Sequence, residues 1–186
     1  MNEVLYYLGY FFNTIVFCIV LFWMKKFYSK RWKLFFGPKK DLATVQEHEL
    51  YSNFLTAFCF LVFLLISFQL ELFLLSLEMD LVEKIKLFYT SMVIVQFSWL
   101  LTLFCLHLVR GCTFSSAARI CTYSTIVVMM LLGMQLISRG YFDYHELSII
   151  YKVGLWICKV IILTALVTYP IRSIKDYFKQ KRAAAS

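Results

Sequence analysis

Apolar blocks of about 20 residues, separated by short charged segments, constrain the fold of this chain more than any other feature. The chain has 186 residues and is 61% hydrophobic, whereas a soluble domain is usually about 45–50% apolar. A helical block of this length crosses roughly 30 Å of hydrocarbon. The sequence therefore predicts an all-α integral membrane protein, with residues 1–182 forming a single polytopic domain.

We expect a bundle of five transmembrane helices. The blocks cover about residues 4–24, 54–77, 87–109, 120–138 and 147–171. The segment Thr44-Val45-Gln46-Glu47 matches a capping box, which predicts a helix start that leads into the second block. Pro170 is expected to end the fifth helix, because proline lacks the backbone N–H that a helix interior needs. Residues 183–186, Ala-Ala-Ala-Ser, have the composition of a cloning scar and are left out of the fold.

The distribution of cations predicts the orientation of the bundle. Of the 19 lysines and arginines, 14 lie in the loop 25–53, the connection after the third block and the tail 172–182. Positively charged flanking segments stay on the cytoplasmic side of a membrane. We therefore expect the N-terminus outside and the C-terminus in the cytoplasm, in the plasma (inner) membrane of the cell.

The basic loop and tail are candidate binding surfaces for anionic lipid headgroups or a soluble cytoplasmic partner protein. Aromatic residues alternate with the cations of the loop, a pattern typical of segments that lie on the headgroup layer. Nucleic acid is not expected as a partner, because the cations flank the membrane spans. The competing interpretation is that these cations only set the topology. The candidate residues are Lys25, Lys26, Lys30, Arg31, Lys33, Lys39, Lys40, Arg172, Lys175, Lys179, Lys181 and Arg182.

Polar side chains inside the predicted spans are the second group of candidate functional residues, since ionisable groups in a bilayer often mark functional sites. A rise of about 1.5 Å per residue gives each one a depth in the membrane. One predicted layer, in the outer leaflet, contains Glu71, Gln135 and Lys152. A second layer, near the midplane, contains Asn13, Gln96 and Lys159.

These depths predict an ion pair between Glu71 and Lys152. They also predict that Lys159 lines a polar cavity or reaches toward Glu71. Such groups would serve as an ion pair or as the lining of a pore. The alternative is that the polar side chains only hold neighbouring helices together.

Motifs for catalysis or cofactor binding are not found in the sequence. It contains no phosphate-binding glycine loop, G-x-S-x-G or H-E-x-x-H motif. A zinc site from His48, His107 and Cys112 with Glu47 and Glu49 would match no standard spacing. We therefore expect no metal, no cofactor and no enzymatic activity, and no motif is specific enough to indicate a family.

Three functions are compatible with this pattern. The first is a non-enzymatic, homo-oligomeric membrane sensor or anchor whose basic face binds its partner, a description that a bacterial stress or phage-defence component would fit. The second is a small ion channel or transport subunit that uses the intramembrane Lys, Glu and Gln residues. The third is a lipid-modifying enzyme with its chemistry near His107 and Arg110.

Overall fold

The computed structural model describes the backbone of residues 2–26 and 44–183 and the side chains of residues 7, 9–25 and 44–175. The described residues form five α-helices and no strand, which confirms the predicted all-α class for this part of the chain. The helices are α1 (Asn2–Lys26), α2 (Val45–Ser76), α3 (Leu81–Arg110), α4 (Ser116–Tyr141) and α5 (Ser148–Ala183). Of the predicted cloning scar 183–186, Ala183 is the last residue of α5, whereas residues 184–186 and the basic residues between 27 and 43 lie outside the described residues.

Four of the five helices are long and apolar enough to cross a membrane: α2, α3, α4 and the Ser148–Lys175 part of α5. In α1 the described apolar stretch, Gly9–Lys25, is shorter. The chain is thus a helical bundle of the multi-pass membrane type. A fifth span through α1, the orientation of the termini and the identity of the membrane stay predictions.

The start of α2 confirms the predicted capping box. The Thr44 hydroxyl accepts the Glu47 backbone N–H at 3.3 Å, and the Glu47 carboxylate accepts the Thr44 backbone N–H at 3.1 Å. Residues 45–53, which we assigned to the basic loop, are therefore helical. The α2–α3 connection is held by Lys84, whose ammonium group donates hydrogen bonds to the carbonyls of Leu75 and Leu77 at 2.7 and 2.8 Å.

The prediction that Pro170 ends the last helix is wrong. Helix α5 continues through Pro170 to Ala183, so the basic tail 172–182 is helical rather than a separate segment. Proline removes one backbone donor, but neighbouring side chains and small backbone adjustments allow it within long membrane helices. Because Pro170 is buried, packing also holds the helix together around it.

The helices pack in chain order around the bundle. Each contacts the next, and α5 returns to contact α1. Tyr10 packs on Phe68 and Trp23 packs on Phe54, so α1 and α2 run antiparallel. We call the end of the bundle that holds the α3–α4 connection the packed end, since large side chains fill it, including Val16, Trp23, Phe54, Leu55 and Leu103. We call the opposite end, which holds the α2–α3 connection, the cavity end.

Candidate functional site: a cavity inside the bundle

A cavity of about 510 Å³ lies between the helices, and all five contribute to its walls. The part of the cavity nearest the cavity end of the bundle is lined by Leu75, Phe88 and Tyr151. Its deepest residue on α2 is Phe60, fifteen positions from Leu75. At 1.5 Å per residue the cavity extends roughly 22 Å along the bundle.

Aromatic side chains form the floor of the cavity. The ring of Phe60 packs edge-to-face on Phe12 and on Trp99, with ring centroids 6.3 and 6.1 Å apart. Trp99 is only 2% exposed, and the large side chains of the packed end lie beyond this layer. Among the described residues, the cavity therefore ends within the bundle and does not continue as a pore through it.

The polar residues Asn13, Gln96 and Lys159 line the deep part of the cavity, as does Thr125, whose hydroxyl donates to the Cys121 carbonyl of its own helix. Asn13 follows Phe12, and Gln96 is three residues from Trp99. Lys159 is three residues from Ile162, which also lines the cavity. The structure therefore brings together the layer that the depth argument predicted near the midplane. The Lys159 ammonium lies 4.9 Å from the centre of the Trp156 ring, close enough for a cation–π interaction.

Glu71 also lines the cavity, nearer to the cavity end of the bundle, and we call this part of the cavity its mouth. Its carboxylate exerts a Coulombic attraction on Lys159 across the cavity. The two side chains do not form an ion pair among the described residues. The cavity thus has a cation and amides at its deep end, an acid near its mouth and mostly apolar walls between them.

Lys152 and Gln135 do not join this cavity. Lys152 is exposed and lies only four residues after the start of α5, so its side chain reaches outward, and no Glu71–Lys152 ion pair occurs among the described side chains. Gln135 is fully buried, and its amide has no hydrogen-bond partner in the part of the chain that the structure describes. The spacing of residues along a helix predicts only the height of a side chain in the bundle, not the direction in which it points.

A second polar cluster, which we call the serine–histidine network, lies at the packed end and was not expected from the sequence. The Nδ1 atom of His107 lies 2.8 Å from the Leu103 carbonyl, and Nε2 lies 2.9 Å from the Ser52 hydroxyl. Because a carbonyl only accepts, Nδ1–H is the donor in the neutral imidazole and Ser52 donates to Nε2. The Ser52 oxygen also accepts the Ser115 backbone N–H at 2.8 Å. This network therefore ties α2 and α3 to the start of α4.

Ser115 extends the network to the first turn of α4. Its hydroxyl donates to the Asn53 side chain at 3.0 Å and accepts the Ala118 backbone N–H at 3.1 Å, as an N-cap residue does. Next to it, Arg110 is buried with its guanidinium 4.3 Å from the centre of the Tyr51 ring. The N-cap pattern was readable from the sequence, but the partners of Ser52 and His107 depend on how the helices rotate against each other.

The α3–α4 connection is shaped by Gly111 and Cys112. Gly111 has a φ of 71° and ends α3 with its backbone N–H on the His107 and Leu108 carbonyls. Cys112 is buried, and this burial raises the pKa of its thiol, which therefore stays protonated at neutral pH. His48, considered above as a metal ligand, accepts a hydrogen bond from the Thr113 backbone N–H at 3.3 Å.

We call the cations of the loop 25–53 and the tail 172–182 the basic surface. The part of this surface that the structure describes also lies at the packed end. Lys25, Arg172 and Lys175 are exposed, and the Arg172 guanidinium lies 3.5 Å from the Glu49 carboxylate. A groove of about 490 Å³ lies here, lined by Arg172, Arg119 and the first residues of α4. The other candidate residues of this surface lie outside the described side chains: Lys26, Lys30, Arg31, Lys33, Lys39, Lys40, Lys179, Lys181 and Arg182.

Comparison with known proteins gives no relative for this bundle. No family model matches the chain, and no curated protein or solved structure matches it significantly.

Proposed function

We propose that this chain is a non-enzymatic membrane sensor subunit whose bundle cavity binds a lipid-soluble molecule. The observation that carries the proposal is the cavity of about 510 Å³, with polar groups near its aromatic floor. Cavities that bind small ligands are typically about 300–1,000 Å³, mostly apolar, with a few placed polar groups. A cavity with a closed floor suits a molecule that enters and leaves by one route, whereas conduction needs a continuous path.

The basic surface at the packed end would transmit the signal. The cavity touches all five helices, so an occupant that favours one packing of the bundle would shift the equilibrium toward it. Lys25, Arg172 and Lys175 are exposed at the packed end, and cations beside membrane spans attract anionic headgroups. We propose that this surface binds anionic lipid or a soluble cytoplasmic partner, and that the chain forms a homo-oligomer in the plasma membrane.

Filling the cavity tests the proposal. Leu64 lines the cavity, whereas its neighbour Leu65 is 54% exposed on the outer face of α2. Leu64→Trp should lower the retention of added palmitate and hexadecanol at least about tenfold, measured by native mass spectrometry, because the larger ring occupies the cavity. Leu65→Trp should retain them as the wild type does.

Helical content and elution volume must match between the two variants, so that misfolding is separated from blockage. Equal retention by Leu64→Trp and the wild type would contradict a ligand-binding cavity. Equal loss in both variants would show that the molecules bind to the outer apolar surface instead.

A transport subunit is the second candidate function. It is favoured by the presence of two opposite charges, Glu71 and Lys159, on the walls of one cavity, since such residues often mark transport pathways. A conductance or solute flux in planar bilayers or vesicles that Lys159→Ala abolishes would support transport over sensing.

A lipid-modifying enzyme is the third candidate. The Ser52–His107 hydrogen bond contains the atoms of a base-activated nucleophile. Ser52 is fully buried and already accepts the Ser115 N–H, which leaves a substrate little access. Lipid turnover that stops in Ser52→Ala would nevertheless support this function.

A further inference from the structure

The deep end of the cavity is rich in hydrogen-bond donors. The Lys159 ammonium donates only. The indole N–H of the floor residue Trp99 also has no hydrogen-bond partner among the described residues, but it is covered by protein rather than exposed to the cavity. The side-chain amides of Asn13 and Gln96 line the same part of the cavity and can donate as well. These groups match a ligand end that accepts several hydrogen bonds.

The charge at this depth has no anion in contact with it. Glu71 lies eleven residues from the floor residue Phe60 on α2, roughly 16 Å along the helix, and it attracts the Lys159 ammonium across the cavity without contacting it. No ion pair joins Lys159 to an acid among the described side chains. Because a lysine inside a bilayer is stabilised by an opposite charge, an anionic ligand group fits here better than a neutral one.

Between these polar groups and the cavity end of the bundle, the cavity wall is suited to a hydrocarbon chain. Between Lys159 and the mouth of the cavity it includes Leu64, Phe68, Met92, Leu132 and Leu155. These side chains offer contact to apolar groups along most of the cavity length. The occupant should therefore be long and apolar, with a single anionic end.

We infer that the cavity binds a long-chain monocarboxylate, with its carboxylate on Lys159 and its hydrocarbon chain along the wall toward the mouth. This inference rests on the proposed function and names the ligand class of the same cavity. Alkylamines are disfavoured, because their ammonium group would face Lys159. Uncharged alcohols fill the same space but bring no anion into contact with the Lys159 ammonium, which Glu71 attracts only from a distance.

Competition among amphiphiles with equal chains tests this inference. The protein is reconstituted in nanodiscs of uncharged phosphatidylcholine at neutral pH and labelled with palmitate that carries a photoactivatable diazirine on its chain. The cross-links should map to the cavity wall. Palmitate should displace the probe at least about tenfold better than hexadecanol, and hexadecylamine should be the weakest competitor.

Substitutions then assign the preference to one lysine. Lys159→Met should abolish the preference for palmitate over hexadecanol, and Lys159→Arg should restore it. Lys152→Met removes an exposed lysine from the same helix and should keep the preference. Glu71→Gln, which removes the acid nearer the mouth, should keep or increase it.

Three results would overturn the inference. If palmitate and hexadecanol compete equally, the carboxylate has no role, although labelling of the cavity wall would still support the proposed function. If Lys159→Met keeps the preference, or Lys152→Met loses it as well, the carboxylate binds elsewhere. If no probe labels the cavity wall, both the ligand class and the proposed function fail.

Discussion

Ser52 shows how a single hydroxyl can join three helices at the packed end. It donates to His107 and accepts the Ser115 N–H, and both partners are buried. Ser52→Ala would leave a buried ring nitrogen and a buried backbone N–H without partners, which costs about 1–3 kcal/mol each. We expect the free energy of unfolding to fall by about 2 kcal/mol or more, measured by denaturant titration in detergent micelles.

Thr164→Ala is the matched control, because the Thr164 hydroxyl is exposed and, among the described residues, bonds only to the Val160 carbonyl of its own helix. Its effect should be within about 0.5 kcal/mol, as for most surface substitutions. Similar losses for the two variants would contradict a structural role for the serine–histidine network.

At the scale of single residues, the sequence predicted heights better than contacts. The spacing within each span grouped Asn13, Gln96 and Lys159, and the structure places all three along one cavity. It also paired Glu71 with Lys152, but Lys152 points outward. Height follows from counting residues, whereas pairing depends on helix rotation, which is set by packing against the other four helices.

At the scale of helices, the surroundings of Gly133 and Gly154 predict that alanine substitutions at these two positions differ in stability. A Cβ atom added at Gly133 would meet nothing within 4 Å, whereas one at Gly154 would lie 2.7 Å from a Leu131 methyl group. Alanine is favoured over glycine within a helix by about 1 kcal/mol, but overpacking typically costs about 1–3 kcal/mol. Gly133→Ala should thus be more stable than Gly154→Ala by up to about 1 kcal/mol in the same denaturant titration, because the Leu131 methyl is the end of a flexible side chain and yields part of the space. The reverse order would contradict the observed α4–α5 contact.

The helix starts were predictable where local chemistry decides them, as the capping box at Thr44 illustrates. The end of α5 was not, because Pro170 lies inside a helix that extends to Ala183. The local preference of proline was overridden by the packing of a long apolar helix.

At the scale of the whole molecule, the cation distribution predicts which end faces the cytoplasm. In a background with the native cysteines replaced, Thr113→Cys at the packed end and Glu78→Cys at the cavity end place exposed thiols on opposite ends of the bundle. A membrane-impermeant maleimide should label Glu78→Cys in intact cells and Thr113→Cys only after the membrane is opened. The opposite pattern would invert the topology and place the basic surface outside.

The most direct test of the account is fluorescence quenching of Trp99 by stearate brominated on the carbons next to its carboxylate, which the account places nearest the floor, since bromine quenches an indole that it contacts. Phe substitutions of the other three tryptophans leave Trp99 as the single fluorophore in the cavity floor. A matched protein keeps only Trp23, which is buried at the packed end. We predict saturable quenching of Trp99 that palmitate reverses, and little quenching of Trp23. Equal quenching of both, or a decrease in Trp99 fluorescence that never saturates, would contradict a ligand-binding cavity inside this bundle.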